Sequence, residues 1–321
     1  KLIGLYTENR IIPLFAVATF LSFFGVYHAF TFDYHSNVVA TMLVPGFFYF
    51  FKKQRYICSS LFLLLIIIAK ENLSLFMAFV CLGLIWDYRK DKKAVIVLLV
   101  GTGISIVYFI IVNTVVMAYL THDDISRGFV RYRQWGNGFG DIVVYFLSHP
   151  SEIITVLFGH YKKIDFFVCL LFSSGIALLL KPNYLIMVIP LIAQKMLADY
   201  VMLWTPYLHY NVEFAPIVVV AGFTLITSVK KPLVAQTLAG LIFVSTLGTL
   251  IYTNRYSRIW HNYSKCKILD RSHYEQKKFS VSDVYSYMEM IPDDASVCAS
   301  DIFVPHLCLR KDIYTYRYKN I

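Results

Sequence analysis

The sequence predicts an α-helical polytopic membrane protein with about nine visible transmembrane helices, followed by a small α/β module. Three observations carry this prediction. The 321 residues are 58% hydrophobic and only 16% charged, less charge than the surface of a soluble chain of this length needs. Apolar runs recur over residues 1–252, many of them close to the ~20 residues that cross a bilayer. After residue 252 that pattern gives way to short helical and extended segments separated by turn residues.

The runs place spans near 11–30, 38–51, 56–69, 72–86, 94–119, 164–180, 183–198, 214–229 and 233–252. The third and fourth are short and meet at Lys70-Glu71, so they read as a tight hairpin or as one broken element. Pro45, Pro182, Pro190, Pro206 and Pro216 lie in or beside spans, where kinks are tolerated when neighbouring groups satisfy the backbone. The connecting segments sort by charge. Residues 1–10, KKQR at 52–55, DYRKDKK at 87–93, Lys181 and the lysines at 230–231 hold 12 Lys/Arg against 3 Asp/Glu. The opposite set holds 7 against 9. The basic side is cytoplasmic by the positive-inside rule, so the visible chain starts inside and ends outside. Most of the net charge of +10 therefore sits in short loops on one face, which argues against a nucleic-acid partner. Position 1 is not Met and no signal-peptide pattern is present, so further chain is expected upstream of Lys1.

Polar residues gather on the predicted outer side. FDYHSN, with Asp33 and His35, joins the first two spans. In an extended turn residues two apart share a face, so this pair could hold a proton or a metal; a solvated turn fits equally well. Lys70 and Glu71 interrupt IIIAKENLSLF, and charges so deep in apolar sequence usually face a protein interior or a wet cavity. The long outer loop 120–163 carries His122-Asp123-Asp124, with ligands suited to Mg²⁺ or Mn²⁺, although three adjacent residues seldom all bind one ion and a solvated loop fits them better. It continues as RGFVRYRQW, where Arg127, Arg131 and Arg133 alternate with aromatic residues, suiting a segment at the headgroups that binds lipid or phosphate. The last outer turn, ADYVMLWTPYLHYNVEFAP, brings Asp199, His209, Tyr210 and Glu213.

The tail, 253–321, is the predicted α/β module. SVSDVYSYMEMI reads as a helix, PDDASVCAS as a turn entering a short strand, DIFVPHLCLR as a brief helix and KDIYTYRY as a second strand. Cys58, Cys81 and Cys169 fall in spans as small packing residues. Cys266, Cys298 and Cys308 lie in the tail, where an oxidising compartment would permit one disulfide, Cys298 with Cys308 being one pairing.

The order FDYH, a Pro-containing span, a basic turn, a span ending in KEN, then LHYNVEFAP and IPDDASVCASDIFVPHLCLRKDIYTY resembles a bacterial family of multi-pass membrane proteins carrying a domain-of-unknown-function label. That family is grouped with GT-C-type glycosyltransferases, which take sugars from polyprenyl-phosphate donors at the outer membrane face. The resemblance covers nearly the whole visible chain and implies a GT-C-like fold in the bacterial cytoplasmic membrane, with the tail module extracytoplasmic. Asp33 and His35 match the family's DYH, Lys70 and Glu71 its KE, and His209 and Tyr210 its HY. The family's acidic motif in the first outer loop has no counterpart in the visible chain and is expected upstream.

The resemblance and the residues together suggest glycosyl transfer from a lipid-phosphate sugar to an envelope acceptor. Asp33 is the candidate base or metal ligand, His35 its partner, and Lys70 the counter-charge for phosphate. Glu71 would orient Lys70 or bind a divalent cation, Mg²⁺ or Mn²⁺; His209, Tyr210 and Glu213 would close the pocket. Arg131 and Arg133 are further phosphate contacts. A transporter or flippase with Lys70 and Glu71 on a substrate path, or a non-catalytic scaffold, are the alternatives.

Overall fold

The computed structural model describes residues 1–30, 34–121, 129–261 and 279–316. The chain divides into two compact units, Lys1–Ile268 and Leu269–Ile321. Among the described residues the first unit is almost wholly helical and the second holds the two strands.

The helical unit begins with α1 (Ile11–Ser22) and α2 (Phe24–Phe30), bent by 58° at Phe23. It continues through α3 (Ser36–Lys52), α4 (Tyr56–Ala69), α5 (Glu71–Tyr88) and α6 (Lys92–Ile111), the last running through a wide turn into α7 (Met117–Thr121). Then come a 3₁₀ turn at Val130–Tyr132, α8 (Phe139–Ser148), α9 (Glu152–Phe158), α10 (Tyr161–Leu170) and α11 (Ala177–Leu180). The unit ends with α12 (Pro182–Met196), α13 (Val201–Trp204), a 3₁₀ segment His209–Phe214, α14 (Ala215–Ile226) and α15 (Pro232–His261). Local chemistry sets several boundaries. Asp91 caps α6 by accepting from Ala94 N at 3.1 Å. Pro182 opens α12, where its missing N–H costs nothing.

Nine spans were expected; by length and composition four helices qualify among the described residues, or up to six if each bent pair is one span. The four are Glu71–Tyr88, Lys92–Val116, His209–Ile226 and Pro232–Arg255. The bent pairs are α1 with α2, and α8 with α9, which turns by 113° inside the predicted outer loop 120–163. The shortfall has a physical reason. α4 has 14 residues and rises about 21 Å, short of a hydrocarbon core of about 30 Å. The run 164–180 is interrupted where Ser173 (φ −96°, ψ 48°) and Ser174 (φ 77°, ψ −8°) leave helical geometry. An apolar run reports what can lie in lipid, but not where the helix inside it breaks.

α5 and α12 pack against each other and run antiparallel, since Asn72 meets Gln194 at one end and Asn183 meets Asp87 at the other. His209–Ile226 is 89% buried and forms the centre, whereas Lys92–Val116 and Pro232–Arg255 are each 22% buried and turn broad apolar faces outward. Close approach depends on small residues: Gly25 lies against the Asn211–Val212 backbone, and Gly83 against Asn183 and Met187.

In the second unit, α16 (Val281–Glu289) starts at Ser280, whose hydroxyl accepts from Asp283 N at 3.3 Å. Strand β1 (Val297–Ala299) pairs in parallel with β2 (Ile313–Thr315), Cys298 opposite Tyr314, and α17 (Val304–Leu307) crosses between them. Cys298 and Cys308 are exposed free thiols.

Candidate functional site

The antiparallel packing gives the helical unit two polar ends with apolar sequence between. One end collects His35, Lys70, Glu71, Lys195 and the turn before α14. There Lys195 Nζ lies 2.9 Å from Glu213 Oε2, with both side chains 3% exposed. Asn37 Nδ2 donates to the other carboxylate oxygen at 3.3 Å, and Lys195 also donates to the Tyr210 carbonyl. A carboxylate in an apolar interior is tolerated when a cation and hydrogen bonds satisfy it, and all are present. The His35 and His209 rings stack at 4.3 Å with 13° between planes, and His209 lies 4.2 Å from the Tyr210 ring. His35 is extended (φ −134°, ψ 131°) and precedes α3, so its ring can reach across to the 3₁₀ segment.

Beside this cluster, Lys70 is the one extended residue between α4 and α5 (φ −156°, ψ 127°). Its Nζ lies 3.9 Å from Glu71 Oε1, too far for a hydrogen bond, and the side chains are 41% and 28% exposed. Glu71 therefore stays open at the rim of a cavity of about 160 Å³. Asn72, Asn113, Tyr132 and Gln194 supply the other polar groups of its lining; the rest is apolar, with Phe76, Phe109, Phe129 and Phe139 prominent. Asn72 Nδ2 bonds Gln194 Oε1 at 3.1 Å, while Asn72 Oδ1 is buried without a partner. The last turn of α12 joins the two groups, because Gln194 faces the cavity and the next residue, Lys195, binds Glu213.

That end of α12 is held by side chains from three segments. Tyr132 donates to Gln194 O at 2.6 Å, and Gln134 and Trp135 donate to Leu197 O at 3.0 and 2.7 Å. Lys163 donates to Met196 O at 2.7 Å and Trp204 to Ala198 O at 2.8 Å. These are the carbonyls a helix C-terminus leaves unsatisfied, and the cation suits the negative end of the dipole. Burial pushes the Tyr132 phenol above its ordinary pKa, an effect the Arg131 guanidinium opposes.

The structure thus brings His35 beside His209 and Tyr210, and Glu213 beside Lys195, while Glu71 lines the adjoining cavity with the Lys70 ammonium 3.9 Å from its carboxylate. Arg131 and Arg133 are exposed; the Arg131 guanidinium lies 4.6 Å from the Tyr200 ring. Asp33, His122, Asp123, Asp124 and Arg127 lie outside the described residues. Among the described residues no group of three or more His, Cys, Asp or Glu is placed to hold a metal ion. Sequence reasoning passed over Lys195, although a lysine within IMVIPLIAQKM is the kind of intramembrane charge that demands a partner. Asn37, Asn72 and Gln194 gave no comparable signal.

Long apolar helices around a buried polar cluster, with lipid-facing surfaces at the periphery, define a multi-helix membrane protein. The family model described as predicted membrane protein, DUF2079, matches residues 4–321, and the chain belongs to that family. No curated protein and no solved structure matches it.

Proposed function

We propose that this protein is a glycosyltransferase of the GT-C type, moving a sugar from a polyprenyl-phosphate donor to an envelope acceptor at the outer face of the bacterial cytoplasmic membrane. The observation that supports this most is the cavity bearing Glu71: apolar walls that suit a lipid chain, with a carboxylate in the lining whose Oε1 lies 3.9 Å from the Lys70 ammonium. In this reading the acceptor oxygen attacks the anomeric carbon as the carbon–oxygen bond to phosphate breaks. The acceptor proton passes to Glu71 or Asp33, and polyprenyl phosphate departs with its negative charge offset by Lys70. His35 and His209 line the approach with Tyr210. Glu213 is tied to Lys195 and Asn37, which suits holding this wall in place better than taking up a proton. Glu71 and Asp33 would hold a divalent cation, which would offset the charge developing on the leaving phosphate; Arg131 and Arg133 would draw the phosphate to this end.

The test is release of polyprenyl phosphate from a labelled polyprenyl-phosphate sugar by purified protein in detergent, with and without Mg²⁺, Mn²⁺ and a chelator. Loss of general-base function costs about 10²–10⁴-fold, so Glu71→Gln and Asp33→Asn should each be measured against wild type. Full transfer by both variants would remove these assignments. Movement of the intact lipid-linked sugar between leaflets of proteoliposomes, with no sugar–phosphate cleavage, would replace transfer by transport.

A further inference from the structure

We infer that the other polar end of the helical unit is a docking surface for anionic phospholipid headgroups. Two turns build it, Lys52–Arg55 between α3 and α4, and Arg89–Lys93 between α5 and α6. The Tyr56 hydroxyl of the first donates to Asp91 Oδ2 of the second at 3.3 Å, and Phe51 packs edge-on against Tyr88 at 5.0 Å, so the turns form one surface. Gln54, at φ 58°, reverses the first turn tightly and leaves Lys53 and Arg55 exposed.

Seven cations lie here, Lys52, Lys53, Arg55, Arg89, Lys90, Lys92 and Lys93, against two carboxylates, Asp87 and Asp91. Both acids are committed within the protein. Asp91 caps α6 and accepts from Tyr56, and Asp87 accepts from Asn183 at 3.0 Å. None of the seven cations forms a salt bridge among the described residues. Four stand over aromatic faces instead: Lys52 over Tyr6 at 4.4 Å, Lys53 over Tyr49 at 5.1 Å, Lys93 over Tyr56 at 5.6 Å and Arg89 over Trp86 at 5.7 Å. Tyrosine and tryptophan settle at headgroup depth, so their rings hold these cations at the level of lipid phosphates. An open groove of about 500 Å³ runs along Trp86, Asp87, Tyr88, Arg89, Lys90 and Asp91, a space of headgroup size. Excess positive charge beside a bilayer surface, unneutralised by the protein, selects anionic over zwitterionic lipid.

The experiment is native mass spectrometry of the protein extracted from nanodiscs of mixed phosphatidylglycerol and phosphatidylethanolamine. Retained lipid on the wild type should be enriched in phosphatidylglycerol by roughly tenfold over the mixture, falling as salt rises. The variant K52Q/K53Q/R89Q/K93Q should retain lipids near the mixture ratio. Wild-type retention at the mixture ratio, or enrichment insensitive to salt, would overturn the proposal even if the quadruple variant failed to fold. So would unchanged enrichment in a folded quadruple variant.

Discussion

Lys195 and Glu213 form a buried ion pair 2.9 Å long that ties the last turn of α12 to the segment entering α14. The pair is surrounded by protein, and each partner has other bonds: Lys195 to the Tyr210 carbonyl and Glu213 to Asn37. Removing one charge strands the other, at a cost of about 3–5 kcal/mol. Lys195→Met should therefore lower thermal stability in detergent by that amount, and adding Glu213→Leu should recover most of it. A double variant no more stable than the single would show that the loss comes from the missing bonds of the pair and not from a stranded charge.

The stacked imidazoles offer a separation of packing from chemistry. An aromatic pair contributes about 0.5–1.5 kcal/mol beyond its buried area. His35→Phe keeps a ring against His209 and should unfold near the wild-type temperature, whereas His35→Ala should lose about that amount. If the His35 nitrogens serve transfer, both variants should lose activity to a similar degree. Activity retained by His35→Phe and lost by His35→Ala would make the stack purely architectural.

The carbonyls at the end of α12 predict unequal effects from two similar changes. Leu197 O accepts from both Gln134 and Trp135, so Trp135→Phe leaves it satisfied and should cost about 1 kcal/mol or less. Gln194 O accepts from Tyr132, so Tyr132→Phe strands a carbonyl at about 1–3 kcal/mol. Denaturation midpoints of the two variants in one detergent decide the order.

Gly25 tests the close approach that positions His209. A β-carbon there would overlap the Asn211 carbonyl, so Gly25→Ala must push α2 away from the 3₁₀ segment. Overpacking of this kind costs about 1–3 kcal/mol. Because His209 begins that segment, the variant should also lose the proposed transfer activity more steeply than it loses stability; equal loss of both would mean only global weakening.

Residue chemistry alone determined the environment and the broad plan. Apolar composition named the bilayer as solvent, and the charge of the turns sorted them into two ends. These are local properties, carried by each segment without its neighbours. It also marked His35, Lys70, Glu71 and His209 as misfits in apolar sequence, because an intramembrane polar group is costly wherever it stands.

Which misfits meet was decided by tertiary packing. His35 and His209 stack across 174 positions of chain because α3 and the turn before α14 abut at one end of the bundle. Lys195 found Glu213, while Glu71 was left at an open cavity, a division that no spacing along the chain encodes. The number of crossings also depended on structure, since helix breaks such as Ser173–Ser174 are stabilised by bonds from other helices, Ser174 to Val218 O and Ser245 to Phe172 O. Ser245 satisfies a backbone carbonyl at the break in a medium without water, and the Ser174 hydroxyl anchors the break on α14; both partners come from elements remote in sequence.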